Sequence, residues 1–294
     1  MDDLIPSNLV LWACIAGSLA LLVGLVLYRA EISRASGPDR ILVLGYVFVA
    51  APLAVFGTEH MLATRLLVGL VPSWMPAPMF WTYFVGVALF AAAASLVARK
   101  LVGWSALLLA VMFFTFVLSM DVPGVIDSAS ERLPWTLMLR ETAFAGGALA
   151  LAGSARTGNA RLSGVLIAIG RTCVAVPLIV YAVEHFAFPA FAPGVPLKKL
   201  TPAWVPVREL WAVVVGAILL VAGVAMLINR RTRLAAAVVG AVMTFLTLVL
   251  YFPLLVQAWG TPQALEGLNY VADTLLFGGT VLLVGIAAGG ETRR

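Results

Sequence analysis

Long apolar stretches recur along this 294-residue chain, separated by short polar or proline-rich connections. Most are close to about 20 residues, the length of helix that crosses about 30 Å of hydrocarbon. They are continuously apolar and do not alternate, so they predict membrane-spanning helices and not barrel strands. We predict nine spans, at about 9–28, 41–56, 80–98, 102–120, 137–153, 165–183, 210–228, 234–255 and 271–287.

Composition agrees with this pattern. Hydrophobic residues make up 62% of the chain and charged residues 11%, against about 45–50% and about 25% in soluble domains. The predicted fold class is therefore an all-α polytopic membrane protein, with the lipid bilayer as its main partner. The basic residues sit largely in the connections, where they set topology, so the high pI does not indicate a nucleic-acid partner. Cys14 and Cys173 lie in apolar stretches and predict neither a disulfide framework nor a thiolate site.

The distribution of charge predicts an orientation. With the N-terminus outside, 13 of the 19 Lys and Arg residues fall on the cytoplasmic side, as the positive-inside rule requires. We therefore predict a multi-pass protein of a bacterial-type inner (plasma) membrane, N-terminus outside and C-terminus cytoplasmic. Eleven of the 14 acidic residues then fall outside, which suggests a polar chamber at the outer ends of the spans.

An internal repeat organises the chain around its two histidines, which both occur in a Glu-His dipeptide. Glu59-His60 and Glu184-His185 end matching apolar stretches 125 residues apart, and a Pro-x-Trp-x-Pro loop follows each. Further features match in order: Trp81 and Trp211, Gly86 and Gly216, Arg99-Lys100 and Arg230-Arg231, Pro123 and Pro253, Glu141 and Asp273, Gly146-Gly147 and Gly278-Gly279. We predict a leading helix with its loop (1–40) and two four-helix repeats, 41–155 and 156–294.

The two repeats should share one orientation. Each has four spans, an even number, so both enter the membrane from the same side, and their symmetry axis runs along the membrane normal. The second copy has five extra residues in its first loop, around 196–199. Pro123 and Pro253 are predicted to end the third span of each repeat because proline interrupts helical hydrogen bonding.

Each repeat resembles a DoxX-like membrane domain, a four-helix membrane bundle with a Pro- and Trp-rich loop before a Trp-x4-Gly helix. Residues 80–87 (FWTYFVGV) and 210–217 (LWAVVVGA) carry the resemblance, together with 184–186 and 233–236. The family includes subunits of quinone-linked oxidoreductases and proteins linked to thiol redox balance. The resemblance therefore implies a redox-associated membrane subunit. This chain differs in having two fused copies and no thiol pair for dithiol chemistry.

The candidate site consists of ionisable residues at the predicted outer ends of the spans. Charged groups at membrane depth are costly, so their presence favours a function. The ligand-binding candidates are Glu59, His60, Glu184, His185, Glu141, Asp273, Trp81 and Trp211. In a quinone or small-ligand pocket, a neutral imidazole would donate to a carbonyl, a nearby carboxylate would orient it and accept its proton, and the Trp residues would wall the slot.

Three other interpretations remain open. Each histidine could bond Glu141 or Asp273 of its own repeat and hold the bundle together, as an assembly subunit without a cofactor. A metal or haem b could bind through His60, His185, Glu59 and Glu184, although no local ligand spacing supports it. Transport is disfavoured by the absence of an inverted repeat. Electrons for a redox role would have to come from a soluble or membrane partner, because the chain has no nucleotide or cluster motif.

Overall fold

The computed structural model describes residues 8–155 and 159–291 as an assembly of helices without strands. The predicted all-helical class is confirmed. Arg156, Arg293 and Arg294, which contribute to the predicted topology, lie outside the described residues. The long helices are α1 (Leu9–Arg34), α2 (Gly45–Leu62), α3 (Pro78–Ala98), α4 (Val102–Phe116), α5 (Arg132–Ala155), α6 (Ala160–Ala187), α7 (Arg208–Leu227), α8 (Thr232–Leu246) and α9 (Ala264–Glu291).

Eight helical segments of the described chain are long and apolar enough to cross a membrane. They include all the long helices except α5, which carries Arg132, Arg140 and Glu141 within its length. Several apolar helices of this length indicate a multi-pass membrane protein. The most buried are α2 and α9, whereas α1 is exposed over most of its surface.

Helices α5 and α9 pack against each other in the middle of the molecule. The fourth helix of each predicted repeat also packs against the first helix of the other, α5 on α6 and α9 on α2. Helix α1 packs mainly on α2. The charged residues of α5 therefore lie within the helical assembly, where neighbouring helices supply their partners.

Close approach of these helices depends on the paired glycines. A Cβ atom on Gly147 would lie 2.7 Å from the Thr280 carbonyl oxygen of α9, and one on Gly279 would lie 2.8 Å from the Phe48 carbonyl carbon of α2. Neither contact leaves room for a side chain, so these positions allow backbone-to-backbone packing, as small residues commonly do between membrane helices.

The third helix of each predicted repeat contains a π-helical turn at the same place. Val117–Asp121 interrupts the helix in the first half and Thr247–Tyr251 in the second, 130 residues later. The prediction that Pro123 and Pro253 end these spans is wrong, because helix continues as Val122–Asp127 and Phe252–Ala258. Each proline occupies the first turn after the π-helix, where a missing N–H is tolerated.

Candidate functional site

Glu184 is held by partners from α5. Its carboxylate is 2.8 Å from Arg132 Nη1 and 3.0–3.1 Å from the Thr136 hydroxyl. Glu184 is buried, and the side chain of Arg132 is 17% exposed. Both oxygens therefore have a donor, and the buried charge faces an opposite charge. This is the arrangement that buried carboxylates need, because burial without partners is costly.

His185 also has a partner on each ring nitrogen. Its Nε2 accepts the Gly194 N–H at 3.0 Å, so Nδ1 carries the proton and donates to the Tyr181 carbonyl at 2.6 Å. The Tyr181 hydroxyl in turn donates to the Thr136 carbonyl at 2.7 Å. The predicted bond from this histidine to Glu141 or Asp273 is not among its hydrogen bonds. Both partners of His185 are backbone groups, one in α6 itself and one in the loop after α6, while the Tyr181 hydroxyl makes the connection to α5.

Glu59 is as buried as Glu184, but its surroundings differ. It is 7% exposed, and its Oε1 has no hydrogen-bond partner. Its electrostatic neighbour is Asp273, another acid. The nearby surface of α9 is apolar: Leu268 and Ala272 form a cluster with Val55 of α2 and Ala13 of α1. Within the described residues, Glu59 thus lies near Asp273 and forms no ion pair of its own, whereas Asp273 is paired with Arg140.

His60 is partly exposed, and only one of its two ring nitrogens is hydrogen-bonded to a described residue. Its Nδ1 donates to the Phe56 carbonyl at 2.8 Å, so Nε2 keeps its lone pair. No described residue bonds to Nε2. The start of the side chain packs close to α3, since a Cβ on Gly86 would lie 2.9 Å from His60 Cβ. Gly216 has the same relation to His185, at 3.0 Å. The two pairs therefore occupy matching positions on their own helix pairs.

Arg140 of α5 is the centre of the largest charged cluster. It donates to Asp273 Oδ2 at 2.6 Å and to Glu141 Oε1 at 3.0 Å, which links α5 to α9. Asp121, at the end of the first π-helical turn, is close enough to interact electrostatically with Arg140. Buried atoms without a partner remain: Arg140 Nε, Glu141 Oε2 and Asp121 Oδ2. Three acids thus surround one guanidinium group.

A cavity of about 430 Å³ opens beside this cluster. Its polar lining residues come mainly from one face of α9, at spacings of three, four and seven residues. One further wall residue belongs to the loop between α6 and α7. The lining residues are Arg140, Leu197, Pro262, Leu265, Glu266, Asn269, Tyr270 and Asp273. Asn269 Oδ1 is buried and has no partner.

The predicted site residues therefore divide into separate groups. Asp273 lines the cavity, and Glu141 bonds the arginine that lines it. The Glu-His residues are not among the lining residues. Neither are the two tryptophans expected to wall the pocket. Trp81 donates its indole N–H to the Pro76 carbonyl at 2.9 Å, and Trp211 stacks on Phe245 with ring centroids 5.9 Å apart.

The metal and haem interpretation fits this geometry poorly. Both ring nitrogens of His185 are engaged, so ligation would break a bond to Tyr181 or Gly194. Within residues 8–155 and 159–291, no group of three or more His, Cys, Asp or Glu side chains is arranged to hold a metal ion. A second axial histidine for haem would have to be His185, which has no free nitrogen.

Two arginines and several cavity residues were missed because the sequence interpretation started from the histidines. A periodic signal for them exists. Arg132, Thr136 and Arg140 follow one another at four-residue intervals, which places them on one face of α5. Glu266, Asn269, Tyr270 and Asp273 share a face of α9 in the same way. A polar stripe on an otherwise apolar helix indicates a buried polar partner.

A model of a known protein family matches only part of the chain. A family model described as a domain of unknown function (DUF8561) matches residues 49–145, about a third of the sequence. The match runs from α2 into α5 and includes Glu59, Arg132 and Arg140. No curated protein matches the chain, and no solved structure matches it either.

Proposed function

We propose that this protein is a redox-associated membrane subunit with a quinone-type pocket between α5 and α9. The observation that carries the proposal is the cavity beside Arg140 and Asp273. Its volume lies in the range of about 300–1,000 Å³ typical of ligand pockets, and it combines apolar walls with a few convergent polar groups. The site is thus centred on α5 and α9 and not on the Glu-His pairs.

The unused hydrogen-bonding groups of the cavity suit a carbonyl ligand. Arg140 Nε has no acceptor, and the Asn269 side chain carries amide N–H groups as well as the unpartnered oxygen. Either residue can donate to a quinone carbonyl, while Leu197, Pro262 and Leu265 supply apolar contacts to the ring. Asp273 lies in the same wall, where it can hold or release a proton. A bound quinone would supply the electron-accepting chemistry, and a soluble or membrane redox partner would supply the electrons.

The proposal includes the finer architecture. We propose nine spans, one leading helix and two parallel DoxX-like four-helix units, in a bacterial-type inner membrane. Helix α5 has 24 residues, about 36 Å of helix, and its charges face partners in α6 and α9. The matched π-helical turns and the equivalent packing of Gly86 and Gly216 support a duplication. Reporter fusions test the orientation: a C-terminal reporter active outside the cytoplasm would overturn it.

Quinone binding can be tested with the full-length protein in lipid nanodiscs. Lipid extraction of the purified protein is expected to release a quinone in a fixed ratio to protein. A short-chain ubiquinone titrated into depleted protein is expected to quench tyrosine fluorescence saturably. Asn269→Leu narrows the cavity without removing a bond to the Asn269 oxygen, and we expect it to weaken binding about tenfold, equivalent to about 1.4 kcal/mol.

The matched control is Gln257→Leu, the same type of change at an exposed position near the end of the helix after the second π-turn. It should leave the titration unchanged. The proposal fails if no quinone copurifies and the titration of the parent protein shows no saturable signal. A purely structural, assembly role would then be preferred, because the satisfied bonds of Glu184 and His185 already account for the second Glu-His pair without a ligand.

A further inference from the structure

The loop between α6 and α7 contains a hairpin, residues 189–201, which we call the wall hairpin. Its two arms are joined by Ala192 N–H to the Lys199 carbonyl at 2.7 Å and by Thr201 N–H to the Ala190 carbonyl at 2.9 Å. Residues 192–196 at its tip are buried. Irregular backbone is tolerated inside a membrane protein only where protein or a cavity surrounds it. The wall hairpin is therefore a packed part of the bundle.

The Glu184-bound arginine also holds the hairpin. Arg132 donates to the Pro196 carbonyl through Nη1 and to the Leu197 carbonyl through Nη2, the latter at 2.9 Å. Its guanidinium carbon lies 4.4 Å from the ring centroid of Phe191. Arg132 thus links the carboxylate of α6 to both arms of the hairpin. The five extra residues of the second repeat are the ones that supply its carbonyl acceptors.

Two further bonds hold the tip of the hairpin. Gly194 N–H donates to His185 Nε2 at 3.0 Å, and the Tyr251 hydroxyl donates to the Pro193 carbonyl at 2.8 Å. Gly194 has φ +118°, a conformation that other residues rarely adopt. Tyr251 ends the second π-helical turn. The second Glu-His pair and the second π-helix are therefore connected to one loop.

This loop forms part of the cavity. Leu197 lines the cavity beside Arg140, while its own carbonyl is bonded to Arg132. The other lining residues belong to α5, to α9 and to the segment before α9. Loosening the hairpin would therefore move one wall and leave the remaining walls in place.

We propose that Arg132, Glu184 and His185 are positioning residues that hold Leu197 against the cavity and so control ligand access to it. The statement about ligand access rests on the proposed function, because it concerns the same pocket. The roles of the two Glu-His pairs then differ: the second positions the pocket wall, whereas the first has no equivalent loop bonded to it.

The test measures the accessibility of position 197 without any ligand. Leu197→Cys is placed in a full-length background with Cys14→Ala and Cys173→Ala, and its labelling by a membrane-impermeant maleimide is timed in vesicles. Arg132→Lys keeps the charge but loses the two-pronged donor, and Glu184→Gln removes the charge that orients it. Each is expected to raise the labelling rate about tenfold. This is equivalent to a loss of about 1.4 kcal/mol in the free energy that favours the closed hairpin. Glu59→Gln, the matched control, should leave the rate unchanged.

A second cysteine separates local opening from general unfolding. Leu276→Cys, at a fully buried position of α9, should label no faster in Arg132→Lys or Glu184→Gln than in the parent. The proposal is overturned if position 197 is not accelerated in either variant, or if position 276 is accelerated equally. If both variants fail to fold, Tyr251→Phe removes the hydroxyl that bonds the Pro193 carbonyl and also interacts with Thr274, and an unchanged rate at 197 would then contradict the proposal.

The same labelling experiment with added ligand distinguishes this proposal from the proposed function. Short-chain ubiquinone is expected to slow the labelling of Leu197→Cys in the parent protein. If it gives no protection but the variants still label faster, the quinone proposal fails and the positioning role stands. If it protects while the variants label at the parental rate, the positioning role fails and the quinone proposal stands.

Discussion

Glu59-His60 and Glu184-His185 share a sequence, a place at the end of a helix and a glycine contact, yet their surroundings are opposite. Glu184 and His185 have partners for both carboxylate oxygens and both ring nitrogens. In the first pair, Glu59 Oε1 has no partner, and no described residue bonds to His60 Nε2. A repeated motif therefore does not by itself indicate a repeated role.

The difference has a specific origin on the partner helices. Glu141 and Asp273 correspond at an offset of 132 residues, which relates Arg132 to Ala264 and Thr136 to Leu268. The polar residues of α5 beside the second pair are thus replaced in α9 by apolar residues beside the first. Leu268 and Ala272 instead pack with α1, a helix that has no counterpart in the second half. The leading helix therefore contributes to the altered surroundings of Glu59.

Removing Arg132 should have the largest effect on the difference between the two Glu-His pairs. Arg132→Ala leaves the buried carboxylate of Glu184 without its compensating cation and leaves two carbonyls of the wall hairpin without their donor. We expect a loss of about 3–5 kcal/mol in the free energy of unfolding, measured by denaturant titration in detergent. Arg65→Ala, at an exposed position near the first pair, should cost less than about 0.5 kcal/mol. Equal losses for the two variants would contradict the structural assignment of Arg132.

The histidines should differ by a smaller amount. His185→Ala leaves the Gly194 N–H buried without an acceptor, which costs about 1–3 kcal/mol. His60→Ala leaves no such donor, so we expect a smaller loss in the same unfolding experiment. If the two substitutions are equally destabilising, the two pairs are not distinguished by their hydrogen bonds.

The two glutamates should also respond differently to substitution by glutamine. Glu59→Gln replaces a buried carboxyl group beside Asp273 and breaks no bond to Oε1, so we expect the free energy of unfolding to change by less than about 0.5 kcal/mol or to rise. Glu184→Gln removes the charge that faces Arg132, and a cost of about 1–3 kcal/mol is expected for the loss of charge-assisted hydrogen bonding. A destabilising Glu59→Gln would show that Glu59 has a partner which its surroundings do not reveal.

The tryptophans should give the smallest effects. Trp81→Phe loses one exposed bond to the Pro76 carbonyl, and a surface change of this kind is expected to cost no more than about 0.5 kcal/mol. Trp211→Phe retains an aromatic ring that can stack on Phe245, and a smaller change is expected. Neither should alter quinone titration, because neither residue lines the cavity. A tenfold loss of binding in either variant would restore the predicted role of tryptophan as a pocket wall.

Sequence reasoning located the helices because apolar length and composition are local properties. The long helices lie where the hydropathy pattern predicts them, although α4 and α8 are followed by helix beyond their prolines. Asp273 and Glu141 are candidate site residues from the sequence because ionisable groups in apolar stretches are conspicuous. Arg132 and Asn269 are not, because their significance depends on which helix they face. A period of three to four residues is visible in the sequence, but the partner of that face is not.

The sequence alone determined the all-helical membrane architecture, and its matched motifs predicted the duplication, since both depend on residue type and spacing. Only the tertiary structure decided which Glu-His pair is satisfied and where the cavity lies. Glu184 meets Arg132 across 52 residues, and Asp273 meets Arg140 across 133. Such contacts depend on the packing of α5 against α6 and α9. That packing decides which donor a buried charge meets, and a local pattern does not identify that donor.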